Sequence, residues 1–179
     1  MAKQTITESL AEIKTINARL ETRRQNVGQY LMRDARLKDP LLEEGGSVKY
    51  VAEERQAVKD LEDRIVRIRT AIHASNLATK MKVQGIERSV QEWLNWRREV
   101  SNGQKTFLQN LRRGIENARK DVQSKGMKLK EGSDGEKTDV LVAVNEKELN
   151  EDIERLDLVL GELDGKLSLN NATTTIDVP

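Results

Sequence analysis

Apolar residues recur at alternating intervals of three and four along much of this 179-residue chain, and that spacing constrains its fold more than any other feature. In the first segment Ile6, Leu10, Ile13, Leu20, Val27 and Leu31 fall on the repeat, with Asn17 and Arg24 filling two of its positions. Such spacing lines one helix face with a narrow apolar stripe, which is buried only by packing along a partner of similar length. Asn17 suits a register-fixing polar position, and Arg24 can lay its stem over the seam while its charge stays outside. Thr5 with Glu8 spells a capping box, with Thr7 as a competing cap, so a helix starts near residue 6. It is expected to end between Arg36 and Lys38, because Pro40 disfavours helical geometry at Asp39. After the break DPLLEEGGSVKY the repeat resumes with Val51, Val58, Leu61, Ile65, Ile68 and Ile72, interrupted once by Glu54.

Two such rods joined by a loop of about ten residues predict an all-α fold built on a long antiparallel helical hairpin or coiled coil. A parallel dimer through the second helix competes with it, since β-branched residues are frequent along that stripe. A third helical segment is expected from Ile86, after Gly85, to Val122, with Ser101-Asn102-Gly103 as the place where it divides in two and Ser101 or Asn102 as the cap of the later part. Trp93, Trp96 and Phe107 are three of the chain's five aromatic residues and, with Leu111, are expected to anchor this segment across the hairpin. They equally suit a protein-interface patch. Residues 130–139, KEGSDGEKTD, read as a loop; Asp134, Glu136 and Asp139 fail the full calcium-loop pattern. Val140 to Val144 reads as a strand or as the entry to a last helix capped by Asn145, which carries Leu149, Ile153, Leu156, Val159, Leu160 and Leu163 on one face. The β-prone tail ending in TTTIDV is expected either to stay free or to add to a neighbouring subunit. Three segments follow: a hairpin over 1–82, a basic helical segment over 83–129, and an acidic helix with tail over 130–179.

Charge sharpens that division. Lysine plus arginine total 31 and aspartate plus glutamate 30, yet residues 97–130 carry a net +7 and residues 131–164 a net −9. The two blocks can pair within one chain or between subunits. Arg98, Arg112 and Arg119 recur every seventh position with Lys105, while Glu151 and Glu154 stand on the acidic helix. The same basic segment, 97–128, can form a phosphate-contacting ridge, although no specific nucleic-acid reader accompanies it. With no cysteine and one histidine, a cysteine nucleophile, a disulfide framework and a zinc site built from Cys or several His are excluded within the chain. His73 reads as a helix-end or turn residue. No catalytic set, cofactor site, metal site or small-molecule substrate emerges. No stretch approaches the ~20 apolar residues of a membrane span, and the chain reads as cytoplasmic at synthesis.

The run IVRIRTAIHASNLATKM, residues 65–81, followed by the helix with Arg97 and Arg98, resembles a small prokaryotic helical family labelled septicolysin-like. Its members have an N-terminal helix, a Pro-containing loop and a second helix ending in an I-x-x-x-N segment before a third. Ile72 and Asn76 match that ending, and Leu10, Ile13 and Leu20 the first helix, so the likeness spans residues 6–113. It implies a helical core and no catalytic residues. The cysteine-free, heptad-bearing chain with a Thr/Asn-rich extension is also similar in style and size to bacteriophage head or tail structural proteins. The function expected is therefore that of a non-enzymatic structural or assembly protein that self-associates, with a virion as one setting and other structural proteins as partners. A coiled-coil adaptor or regulatory binding protein and a nucleic-acid-associated protein are the alternatives.

Overall fold

The computed structural model describes residues 2–131 and 140–178. Among them the fold is all-α, with five helices and short two-stranded sheets, one of which pairs the strand at residues 2–5 with the strand at 175–178. The chain divides into two compact units: residues up to Asn76 together with those from Ser168 onward, and Leu77–Leu167. This differs from the three consecutive segments 1–82, 83–129 and 130–179, because the final strand returns to the first unit.

In the first unit β1 (Ala2–Thr5) leads into α1 (Ile6–Tyr30). Thr5 caps the helix reciprocally with Glu8: the Glu8 amide donates to the Thr5 hydroxyl at 3.1 Å and the Thr5 amide to Glu8 Oε2 at 2.7 Å. The helix stops at Tyr30, earlier than the Pro40 signal suggests. Its buried stripe is Ile6, Ser9, Ile13, Ile16 and Leu20, whereas Leu10, Asn17, Arg24 and Leu31 are exposed. The register shared by Ile6, Ile13 and Leu20 is the expected one, but the intervening positions are taken by Ser9 and Ile16, one residue earlier. Two heptad seams are compatible with the same three anchors, and packing selects the seam that buries Ile16 rather than Asn17. Along α2 (Ser47–Ala78), Ile68 and Ile72 are buried, and Val58, Leu61 and Ile65 are partly buried against the core they share with α1. Glu54, the polar interruption of that stripe, meets Arg23 at 2.5 Å. Arg64 donates to Glu12 at 2.8 Å and the rings of Tyr30 and Tyr50 meet edge-on at 5.3 Å. His73 is exposed within α2 rather than at its end.

Asp39 organises the stretch between the two helices. It accepts from the Ser47 amide at 2.9 Å, the Ser47 hydroxyl at 2.6 Å and the Leu41 amide at 2.9 Å, with Arg33 at 3.5 Å. A carboxylate thus serves the first amide of α2, where helix amides lack internal partners. A 3-10 turn at Leu42–Glu44 follows Pro40, and Gly45 and Gly46 adopt positive φ of 99° and 90°, a geometry in which other residues are strained.

The tail is neither free nor given to a neighbour. Strand β6 (Thr175–Val178) pairs antiparallel with β1 in the register Ala2↔Val178, Lys3↔Asp177, Gln4↔Ile176 and Thr5↔Thr175. Its alternation turns Ile176 and Val178 into the core of Ile6, Ile13, Ile16, Leu20, Ile68 and Ile72.

The second unit opens with a hairpin that replaces the expected start of the third helix. Strands β2 (Lys80–Val83) and β3 (Ile86–Ser89) pair antiparallel around Gln84 and Gly85, whose φ values are 46° and 80°. Positive φ at both loop residues is the turn that matches strand twist. Ser89 and Glu92 then form a second capping box for α3 (Val90–Glu99), and these hydrogen bonds hold the Glu92 carboxyl below its ordinary range. A single residue, Val100, separates α3 from α4 (Ser101–Ser124). The expected division occurs here, but Ser101 does not cap: its hydroxyl donates back to the Arg97 carbonyl at 2.8 Å. Backbone pairing joins β4 (Leu129–Glu131) to β5 (Val140–Val142) in parallel. Asp134, Glu136 and Asp139 lie outside the described residues. Asn145 caps α5 (Glu146–Thr173), accepting from the amides of Lys147 and Glu148, and Gly161 and Gly165 do not end the helix.

Two outcomes test this fold. Ile176→Ala should destabilise the chain by roughly 2–5 kcal/mol, the cost of emptying a buried isoleucine site, whereas a free tail would leave the melting temperature unmoved. Asp39 titrates at about 2 instead of 3.8, chiefly through its hydrogen bonds to Ser47. A depressed carboxylate stabilises the fold fully above its unfolded pKa and loses that contribution as pH falls from about 3.8 through about 2. Asp39→Asn should therefore lower the melting temperature at neutral pH and flatten its dependence on pH between 4 and 2, read by circular dichroism.

Candidate functional site

Within the second unit, an open groove of about 430 Å³ lies between the β2–β3 hairpin and helices α3, α4 and α5. Trp93 forms its floor. The side chain is 2% exposed, and its indole Nε1 donates to the Met81 carbonyl at 3.0 Å, so the polar atom of a buried aromatic is satisfied. Met81, Val83, Val90 and Leu163 complete the core behind it, with Leu94, Trp96, Val159 and Leu167 packed around. Trp96 stands edge-on to Trp93 at 5.7 Å and 87°. The Arg88 guanidinium lies over the Trp93 ring at 4.9 Å, a cation–π geometry that keeps its charge at the groove edge. Leu108, Leu156 and Val159 continue the apolar wall, and Asp152 and Arg155 face each other at 3.5 Å on the α5 side.

The rim is unusually apolar. Phe107 is 61% exposed and Ile86 49%. Phe107 is thus no internal anchor, although the spacing suggested one with Trp93, Trp96 and Leu111. Trp93 packs with residues 81–167, Trp96 is half-buried in the groove wall, and Leu111 is half-buried on α4. Ile65, Ile68 and Ile72 belong to the core of the first unit. Sequence reasoning missed Ile86 and Arg88, since both sit on a strand read as helix. Arg155 and Val159 become groove residues only through the partner face of α5.

The opposed charge blocks pair inside this unit. Arg97 makes a forked contact with Asp164 at 3.1 and 3.0 Å, Lys105 reaches Asp157 at 2.8 Å, and Arg119 donates to Glu146 at 2.9 Å. These pairs are about half-exposed, so each is worth only ~0–1 kcal/mol; they set the register of α3 and α4 against α5 more than they stabilise it. Arg98 and Arg112 pair locally, with Glu99 at 3.0 Å and Glu116 at 3.8 Å, and Glu151 with Lys147 at 3.8 Å. Glu154 has no side-chain partner among the described residues.

On the far side of α5, Leu158 is 61% exposed and sits among Glu154, Asp157, Gly161 and Glu162, with Gln84 from the hairpin loop. Lys166, at 2.7 Å, and the Gln84 amide hold the Glu162 carboxyl below its usual range. Among the described residues, no group of three or more His, Asp or Glu is placed to hold a metal ion, and no helix is long and apolar enough to cross a membrane. No protein-family model, curated protein or solved structure gives a significant match to the chain.

If Trp93 is the keystone of this unit, Trp93→Ala should cost roughly 3–5 kcal/mol, and Phe107→Ala should leave the melting temperature nearly unchanged. Equal losses from the two would contradict the burial contrast between them.

Proposed function

We propose that this chain is a non-enzymatic structural or assembly protein that acts through helical packing and self-association. One observation carries the reading: Phe107 and Ile86 leave an aromatic, basic-edged groove with an apolar rim in water. Large apolar side chains grouped around a concave surface mark protein contact sites. The groove also suits a transient helical partner, which keeps a coiled-coil adaptor as the second reading. Nucleic-acid binding has less support, because Arg97, Lys105 and Arg119 lie against carboxylates of α5 and present little net charge to a phosphate backbone.

The first unit supplies the spacer in this reading. Its helices α1 and α2 form the antiparallel hairpin, supported by Glu12 meeting Arg64, Arg23 meeting Glu54 and Tyr30 meeting Tyr50, pairs that progress in opposite directions along the two helices. The septicolysin-like resemblance belongs to the same proposal: Ile72 and Asn76 are buried at the end of α2, although a β-hairpin stands between them and the next helix. A bacteriophage head or tail is the setting proposed from the general likeness to such proteins.

Size-exclusion chromatography with light scattering tests the central claim. Mass should rise with concentration into the range of stable oligomers by about 10 µM, the affinity range in which small apolar contacts operate. A monomeric mass throughout removes self-association and leaves the adaptor reading.

A further inference from the structure

Two surfaces of the second unit are complementary, and α5 carries part of both. The groove side of the helix presents Asp152, Arg155, Leu156 and Val159; the other presents Glu154, Asp157, Leu158, Gly161 and Glu162. At 3.6 residues per turn these faces point about 140° apart. One helix cannot bring them together, so contact between them requires a second chain.

Their chemistry matches in apolar character and in sign. The groove is concave and apolar, lined by Trp93, Trp96 and Leu108, with the guanidiniums of Arg88 and Arg155 at its edge against a single carboxylate, Asp152. The far face is led by Leu158, 61% exposed, and carries Glu154, Asp157 and Glu162 with no cation among its lining residues. Asp157 and Glu162 are already engaged by Lys105 and Lys166, which leaves Glu154 as the carboxylate able to receive an incoming arginine. Beside Leu158, a Cβ on Gly161 would meet nothing within 4 Å beyond its chain neighbours and its own helix backbone, so another chain can approach the helix closely there.

We propose that the aromatic groove of one chain receives the Leu158 face of a second copy, head to tail. The inference rests on the self-association reading and specifies its surface. Leu158 enters the groove between Phe107 and Trp96, and Glu154 meets the Arg88 and Arg155 edge. The contact is heterologous: each chain keeps one open groove and one open Leu158 face, so association continues until a ring closes or a filament grows.

The experiment compares the wild-type chain, Phe107→Asp, Leu158→Lys and an equimolar mixture of the two variants by light scattering at about 100 µM. Both substituted residues are exposed, so folding should survive, checked by circular dichroism. Should either variant melt early, Ile86→Glu replaces the groove variant and Glu154→Lys the face variant. The wild type should assemble beyond a dimer. Each variant alone should weaken by roughly tenfold or more. The mixture should stop at a dimer, because the Phe107→Asp chain keeps its Leu158 face, the Leu158→Lys chain keeps its groove, and only that one competent pair remains. A wild type that assembles while both variants assemble undiminished overturns the surface and spares self-association. Variants that are monomeric alone and in mixture overturn the head-to-tail arrangement. A monomeric wild type overturns both this inference and the reading beneath it.

Discussion

The first unit depends on strand pairing between residues 2–5 and residues 175–178. The apolar stripes of α1 and α2 are narrow, and the core they share through Ile13, Ile16, Leu20, Ile68 and Ile72 also takes in Ile176 and Val178 from the two-stranded sheet, while the ladder satisfies backbone groups that would otherwise be desolvated. A two-stranded sheet is marginal by itself in water. Here the sheet and the helical seam each bury what the other exposes.

How much of this was legible in the sequence varies with how local its cause is. The capping box of Thr5 and Glu8, the buried positions Ile68 and Ile72, and the Asn145 cap follow from residues within a turn or two of one another. The seam of α1 did not, because Ile6, Ile13 and Leu20 serve two possible registers and only the opposing helix distinguishes Ile16 from Asn17. The β2–β3 hairpin was hidden by its turn: Gln84-Gly85 adopts positive φ at both residues, and glutamine is not among the residues that advertise such a turn. Its weak signal was the alternation of Met81 and Val83 inward with Lys80 and Lys82 outward, followed by a Ser89-Glu92 cap. The tail's β-prone character was readable, but its partner lies at the other end of the sequence.

The groove shows the same limit. Trp93, Trp96 and Phe107 stood out as rare aromatics, yet spacing could not separate the 2% exposed tryptophan from the 61% exposed phenylalanine. That distinction arises from the break at Val100, which separates α3 and its tryptophans from α4 and its phenylalanine. The opposed charge blocks likewise become meaningful as pairs: Arg97 with Asp164, Lys105 with Asp157 and Arg119 with Glu146 progress in opposite directions along the chain and so fix how α3 and α4 lie against α5.

The strand pairing also orders events in time. Leu77–Leu167 is contiguous, whereas the first unit is assembled from both sides of it. During synthesis the contiguous unit has all its core residues, from Met81 to Leu163, before β6 has been made, while Ile6 and Ile13 must wait for Ile176 and Val178. The first unit's core therefore stays incomplete until residues 175–178 emerge, and the apolar stripes of α1 and α2 gain that cover late, through the pairing of β1 with β6.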